Sequence, residues 1–236
     1  MFRNAAPWHN QFVNHPTNWD RYYDAPFPAS KVTRRFLFDW LKRRIHEAFP
    51  QPDRPLSFLE LGGGNSCFFA GLSRAFPMSR YVVADSNEKS LRLFARRAAA
   101  LRPGIPTQSI KVNLATDDPA GGLPGADVVF STGLVEHFAP RLTSHVVKTH
   151  FRCSTKKGGL VMITAPTPTW LYRTVRSCSE LLGLWAFPDE RPLRDSEILE
   201  SVPPTHALTH SGVIWPLILT QHGMAWKRTE DGREAA

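Results

Sequence analysis

Five places in the sequence carry side chains whose types and spacing can do chemistry. The stretch "LELGGGNS" (59–66) sets Glu60 just ahead of a corner of three glycines, Gly62, Gly63 and Gly64. A glycine corner lets backbone approach a ligand without a Cβ in the way. A helix starting there adds N–H donors. The same corner can also be a tight turn that holds nothing. Glu60 can bind an ammonium group, directly or through water. Asp85 ends "RYVVAD", roughly 20 residues further on, where an acid can accept from both hydroxyls of a ribose or cap the next helix. In "KVNLATDD", Asn113, or backbone beside it at Leu114, can meet an adenine edge. "ADVVFSTGLVEHF" runs an apolar segment into Ser131, Thr132 and Gly133 and then into Glu136-His137. There the imidazole is a candidate general base and the acid a candidate for orienting it.

The corner departs from a dinucleotide site. The fingerprint G-x-G-x-x-G would need a third glycine where Cys67 stands, and that glycine allows close helix–strand packing over a pyrophosphate. An acid at Glu60 also opposes a pyrophosphate. Asp85 alone does not separate NAD from any other adenosine-bearing cofactor.

The elements that must hold these residues alternate between strand and helix. The spacing predicts a helix from a Ser30 cap to about Phe49, with Val32, Phe36, Trp40, Leu41 and Ile45 on one face. Pro50, Pro52 and Pro55 stop it. "LSFLEL" reads as a buried strand, with Asn65 or Ser66 capping a helix to about Phe76. "RYVVAD" is a second strand, followed by a helix over 87–101. "IPTQSIKVNL" and "ADVVFST" are a third and a fourth strand. Pro140 opens a helix that ends near "KKGG", and "GLVMITAP" is a fifth strand. The proline-broken segment 167–204 contains two helices. "THALTHSGVIW" and "LILTQHGMAW" close the chain as two strands joined by a short turn. This order implies an α/β, Rossmann-like three-layer sandwich: a mostly parallel seven-stranded sheet, covered on both faces, with an antiparallel C-terminal hairpin.

Composition narrows the setting. With 236 residues, 42% of them hydrophobic and 21% charged, the chain suits one globular domain. We expect an irregular arm over 1–29 and a domain over 30–236. The apolar runs fall short of the about 20 residues that span a membrane. "MFRNAAPWHN" lacks the apolar core of a secretory signal. Cys67, Cys153 and Cys178 form no CxxC pair, so a reducing, cytoplasmic setting without zinc or a disulfide framework is expected. A net charge of +8 permits an anionic small molecule, a glycan or a nucleic acid as partner. The Lys and Arg residues are scattered rather than run together.

"LELGGGNS", "YVVADSNEKSL", "ADVVFSTGLVEHF" and "KKGGLVMITAPTP" occur in order and at suitable separations. Together they resemble the class I S-adenosylmethionine-dependent methyltransferases, in particular the group with an "EH" pair after the fourth strand. The resemblance covers about 56–166 and extends more weakly to the two closing strands. It implies S-adenosylmethionine as cofactor. Glu60, Gly62, Gly63 and Gly64 would line its methionine part, Asp85 and Ser86 would hold the ribose, and Asn113 and Leu114 would meet the adenine. Ser131, Thr132 and Gly133 would pass near the sulfonium. Asn113 stands where the family usually has an aspartate. Gly133 stands where some relatives carry a metal-binding Glu, so no metal is expected.

Methyl transfer is an in-line displacement, and the protein must chiefly align the nucleophile and exclude water. On that reading His137 and Glu136 are the catalytic candidates. Tyr22 and Tyr23 of the arm, with Trp170, Tyr172 and Arg173 of a lid at 167–204, are the substrate-binding candidates. The acceptor implied is a small molecule or a saccharide, with an anionic or sugar-linked one favoured and oxygen favoured over nitrogen. A nucleic-acid methyltransferase, a non-catalytic scaffold and an NAD-dependent oxidoreductase are the alternatives.

Overall fold

The computed structural model describes residues 17–24, 30–116, 122–154, 157–185, 187–215 and 219–229. The arm at 1–16 and 25–29, the Ser30 side-chain cap, the turn at 216–218 and the chain end lie outside the described residues.

The elements run α1 (Trp19–Asp24), α2 (Ser30–Ala48), β1 (Leu56–Leu61), α3 (Phe69–Ala75), β2 (Met78–Asp85), α4 (Glu88–Leu101), β3 (Thr107–Lys111) and β4 (Val128–Thr132). A 3₁₀ turn (Val135–His137) leads to α5 (Pro140–Cys153), β5 (Leu160–Pro166), α6 (Trp170–Leu181), α7 (Asp195–Leu199), β6 (His206–Trp215) and β7 (Leu219–Arg228). The strands form one sheet in the order β3-β2-β1-β4-β5-β7-β6. The first five are parallel, and β7 runs antiparallel between β5 and β6. The expected hairpin is therefore present, with its second strand inserted inside the edge.

Strand parity divides the core. Leu56, Phe58, Tyr81, Val83, Phe130 and Met162 face α2, α3 and α4. Leu59, Leu61, Val82, Val129, Val161 and Ile163 face α5 and α7. A strand buried on both faces reads as an unbroken apolar run, and β1 is buried along its whole length. Glu60 is its one ionisable member.

Three local expectations change. The arm, expected to be irregular, carries the helix α1 over Trp19–Asp24. α2 buries Leu37, Trp40, Leu41 and Ile45, whereas Val32 and Phe36 are exposed. The buried stripe follows the i, i+3, i+4, i+8 spacing, and Val32 and Phe36 lie about 100° or more around the helix from its centre. The helix after the glycine corner starts at Phe69, later than a cap at Asn65 or Ser66 places it. Ser66 adopts a positive φ of 46° and turns its buried hydroxyl toward Glu60. It still accepts from the Phe69 N–H at 3.2 Å. Asn87, not Asp85, caps α4, accepting from the Ser90 N–H at 2.8 Å. No described helix is long and apolar enough to cross a membrane.

Candidate functional site

The carboxyl ends of β1 to β4 open on a cavity of about 160 Å³. Gly62 reaches it from the corner, Asp85 and Ser86 from the tip of β2, and Val112, Asn113 and Leu114 from the end of β3. Gly133, Leu134, His137 and Phe138 follow β4. Trp19 and Tyr23 of α1 cover it, and Asp189 enters from the segment after α6. Such a position, beyond the strand ends of an open parallel sheet, is where ligands of these folds sit.

The corner is held in shape from below. Glu60 is buried, and its Oε2 accepts from Ser66 Oγ at 2.5 Å and from the Tyr81 hydroxyl at 2.6 Å. A Cβ on Gly63 would lie 2.6 Å from the Glu60 Cδ, so Gly63 is the residue that lets the loop close over this acid. Gly62 and Gly64 have φ values of +65° and +52°. Glu60 thus braces the corner, and it is not among the residues lining the cavity.

Burial raises the Glu60 pKa to about 7, against the lowering effect of the two hydroxyl bonds. An acid whose folded pKa exceeds its ordinary 4.5 favours the folded state at low pH. That contribution is whole below 4.5 and is lost as pH rises through about 7. Glu60→Gln keeps an acceptor for Ser66 and Tyr81 and cannot ionise. Urea midpoints of E60Q relative to wild type are expected to climb between pH 4.5 and 7 and then level off; a difference that stays constant over that range would contradict the assignment.

Asp85 sits beside the corner. Its Oδ2 accepts from the Gly64 N–H and its Oδ1 from the Asn87 N–H, both at 2.8 Å. Each oxygen keeps a further lone-pair direction for a ligand donor. Burial raises its pKa, and bonds from Asn87, Gly64 and Ser86 work against that rise.

α1 occupies part of the space. The Tyr23 hydroxyl lies where a Cβ on Gly64 would be. The helix is tied to the start of α4 by Asp20 to Asn87 at 2.7 Å and Asp24 to Lys89 at 2.6 Å. Small-ligand pockets are roughly 300–1,000 Å³, so a nucleoside cofactor needs Tyr23 to move. Gly64→Ala meets two obstacles, the Tyr23 ring and a left-handed backbone costing about 1–2 kcal/mol. Hydrogen exchange over residues 19–24 is expected to accelerate in this variant. Unchanged protection would show that α1 does not rest on the corner.

On the far side, His137 Nδ1 lies 3.0 Å from Asp189 Oδ1. Thr17 bonds the same carboxylate twice, its N–H donating to Oδ2 at 3.1 Å and its hydroxyl to Oδ1. Trp19 meets the His137 ring edge-on at 5.1 Å, and Phe187 lies 6.0 Å from it. Burial works to lower the His137 pKa, but the bond to Asp189 and the charges of Glu136, Asp189 and Glu190 outweigh it and the net shift is upward. Burial works to raise Asp189, yet the bonds from His137 and Thr17 hold it down to about 2.

The segment carrying Asp189 is pinned to the turn carrying His137. The Arg191 N–H donates to the Glu136 carbonyl at 3.2 Å. Its guanidinium bonds the Phe138 carbonyl, Glu197 and Thr143 at 3.0, 2.6 and 2.9 Å. Arg176 bonds Glu180 and the Glu190 carbonyl, and packs over Trp185. Tyr172 donates to Glu190 at 2.6 Å. Tyr172 is therefore a strut of the lid. Trp170 is 76% exposed and Arg173 is exposed; neither lines the cavity, and nor does Tyr22, whose ring packs on Tyr23 and Phe187.

Of the other expected residues, Gly62, Asp85, Ser86, Asn113, Leu114, Gly133, His137 and Tyr23 come together at the cavity. Ser131 points to the opposite face of β4, where its hydroxyl meets His150 Nε2 at 2.8 Å beneath α5. Thr132, Gly63 and Gly64 are not among the lining residues. Glu136 is buried with Oε2 unpartnered, and burial raises its pKa; it makes no bond to the His137 ring. Val112, Leu134, Phe138 and Asp189 line the cavity without having been singled out as site residues from sequence. Among the described residues no group of three His, Cys, Asp or Glu side chains is placed to hold a metal ion.

No protein-family model matches the chain, and no curated protein does. Solved structures do. The magnesium protoporphyrin IX methyltransferase of Synechocystis PCC 6803 with bound SAH is similar over 89% of this chain and 93% of its own, at 14% identity and a TM-score of 0.66. An O-methyltransferase family protein from Burkholderia thailandensis matches 89% of this chain at 19% identity and a TM-score of 0.67, the match spanning 59% of that protein. The N-methyltransferase NodS of Bradyrhizobium japonicum WM9 matches 86% of this chain and 99% of its own, at 10% identity and a TM-score of 0.60. The fold is that of the class I S-adenosylmethionine-dependent methyltransferases.

Proposed function

We propose that this chain is an S-adenosylmethionine-dependent methyltransferase acting on a small-molecule acceptor, with oxygen favoured as the nucleophile. The observation that carries the reading is the Asp85 carboxylate, facing the cavity at the tip of β2 and bonded to the backbone of the glycine corner. The residues present fit the cofactor. Asp85 and Ser86 hold ribose hydroxyls, Asn113 and Leu114 meet the adenine edge, and Gly62 faces the amino-acid end once Tyr23 moves off Gly64. Glu60 contributes by shaping that corner. Bound S-adenosylmethionine supplies an electrophilic methyl group. The chain's own work is to bind and orient, to exclude water beneath Trp19 and Tyr23, and to take the acceptor's proton on His137 Nε2, since Nδ1 is engaged by Asp189.

The acceptor lies against His137, Phe138 and Trp19. The ionisable groups among the described lining residues are Tyr23, Asp85, His137 and Asp189, with no lysine or arginine. Arg176 and Arg191 are committed to internal bonds. A neutral or cationic aromatic acceptor suits this wall better than the anionic one that net charge suggests. Nothing in the lining resembles a basic track, which speaks against a nucleic acid. Residues 1–29 serve as an arm on a domain spanning 30–236, with 167–204 as its lid. Three free thiols, Cys67, Cys153 and Cys178, suit the cytoplasm.

The test is transfer of labelled methyl groups from S-adenosylmethionine into a pool of small aromatic phenols and amines. Label in that pool, and none in RNA or DNA, is expected. Label confined to nucleic acid would overturn the acceptor class.

A further inference from the structure

The methyl-transfer reading gives His137 a task but leaves its ring orientation to be explained. We propose that Asp189 is the positioning residue of the His137 base and that the same carboxylate anchors the arm, so that ring orientation and arm placement form one unit. The inference rests on the methyl-transfer reading only in naming His137 a base.

Three contacts converge on Asp189, from Thr17 N–H, the Thr17 hydroxyl and His137 Nδ1. A carboxylate accepts only, so Nδ1 carries the proton and Nε2 is left bare, on a ring that lines the cavity. Trp19, two residues after Thr17, lies against that ring. Phe187, two residues before Asp189, packs on both Trp19 and His137. The lid segment, the arm and the turn after β4 thus share one polar joint inside an aromatic wall. The charged groups facing His137 are Glu136 from its own turn and Asp189 and Glu190 from the lid segment. Arg191 stands behind them and is bonded to Glu197 and Thr143. Of the three acids, Asp189 alone bonds the ring.

The test needs no acceptor and no cofactor. Ring ¹⁵N shifts of His137 in the full chain, assigned by loss of its signals in His137→Gln, report both tautomer and titration. In wild type the neutral ring is expected with its proton on Nδ1, titrating above ordinary imidazole. In Asp189→Ala the Nε2–H form should take over, and amide exchange over residues 17–24 should quicken. Asp189→Asn keeps an acceptor without the charge. It should retain the Nδ1–H tautomer and lower the titration midpoint by about one unit or more, which serves if the alanine variant does not fold. Glu190→Gln should shift the midpoint less than Asp189→Asn does. An unchanged tautomer in Asp189→Ala, or an equal shift in Glu190→Gln, would overturn the proposal. Failure of wild-type protein to bind S-adenosylhomocysteine would instead remove the methyl-transfer reading and leave the Asp189 result standing.

Discussion

Asp85→Ala is expected to weaken S-adenosylhomocysteine binding by about 100-fold while the protein stays folded. A hydrogen bond to a charged acceptor contributes about 1.5–3 kcal/mol, and each 1.4 kcal/mol is about tenfold in affinity. Two ribose hydroxyls would lose that acceptor together. The Gly64 N–H, held by Asp85 at 2.8 Å, would be freed as well, loosening the corner that must pass the amino-acid end of the ligand. Asp85→Asn separates these effects. Its amide keeps one oxygen, but its NH₂ faces either the Gly64 N–H or the Asn87 N–H, so an intermediate loss is expected. Calorimetry gives the affinities and thermal unfolding checks the fold. Unchanged affinity in Asp85→Ala would take this residue out of the site.

The second large effect belongs to His137. General-base catalysis contributes about 10²- to 10⁴-fold, so His137→Gln should lower kcat about 100-fold or more with the acceptor that the pool experiment returns. S-adenosylhomocysteine affinity should be essentially unchanged, because the ring stands at the acceptor end. The pH profile carries a sign. A base works when deprotonated, and the net His137 shift is upward. Turnover in wild type should therefore rise with pH through a midpoint above the ordinary 6.5, and that limb should vanish in His137→Gln. Equal losses in affinity and turnover would make the residue structural.

What could be read from sequence follows the range of the interactions involved. Strand β1, the corner and Asp85 are marked by short apolar runs ending in glycine or acid. Local chemistry sets them; Gly62 and Asp85 reach the cavity, whereas Glu60, Gly63 and Gly64 do not line it. The face of α2 was harder because two apolar stripes overlap in "KVTRRFLFDWLKRRI", and the sheet selects the one through Leu37, Leu41 and Ile45. Ser131 illustrates strand parity. It shares a face with Val129, so its hydroxyl goes to His150, and no local pattern says which face meets the ligand. Asp189 lies 52 positions from His137 and 172 from Thr17. Only the tertiary fold joins them, and "FPDERP" carries no spacing signal for that role. The place of β7 between β5 and β6 is likewise a matter of sheet order, which alternation does not encode.

The central claim is that the glycine corner and Asp85 hold a sulfonium nucleoside rather than a dinucleotide. Titrating wild-type protein with S-adenosylhomocysteine and, separately, with NADH tests it most directly. Saturable binding of S-adenosylhomocysteine with no heat from NADH is the expected result. Binding of NADH with none of S-adenosylhomocysteine would contradict the account.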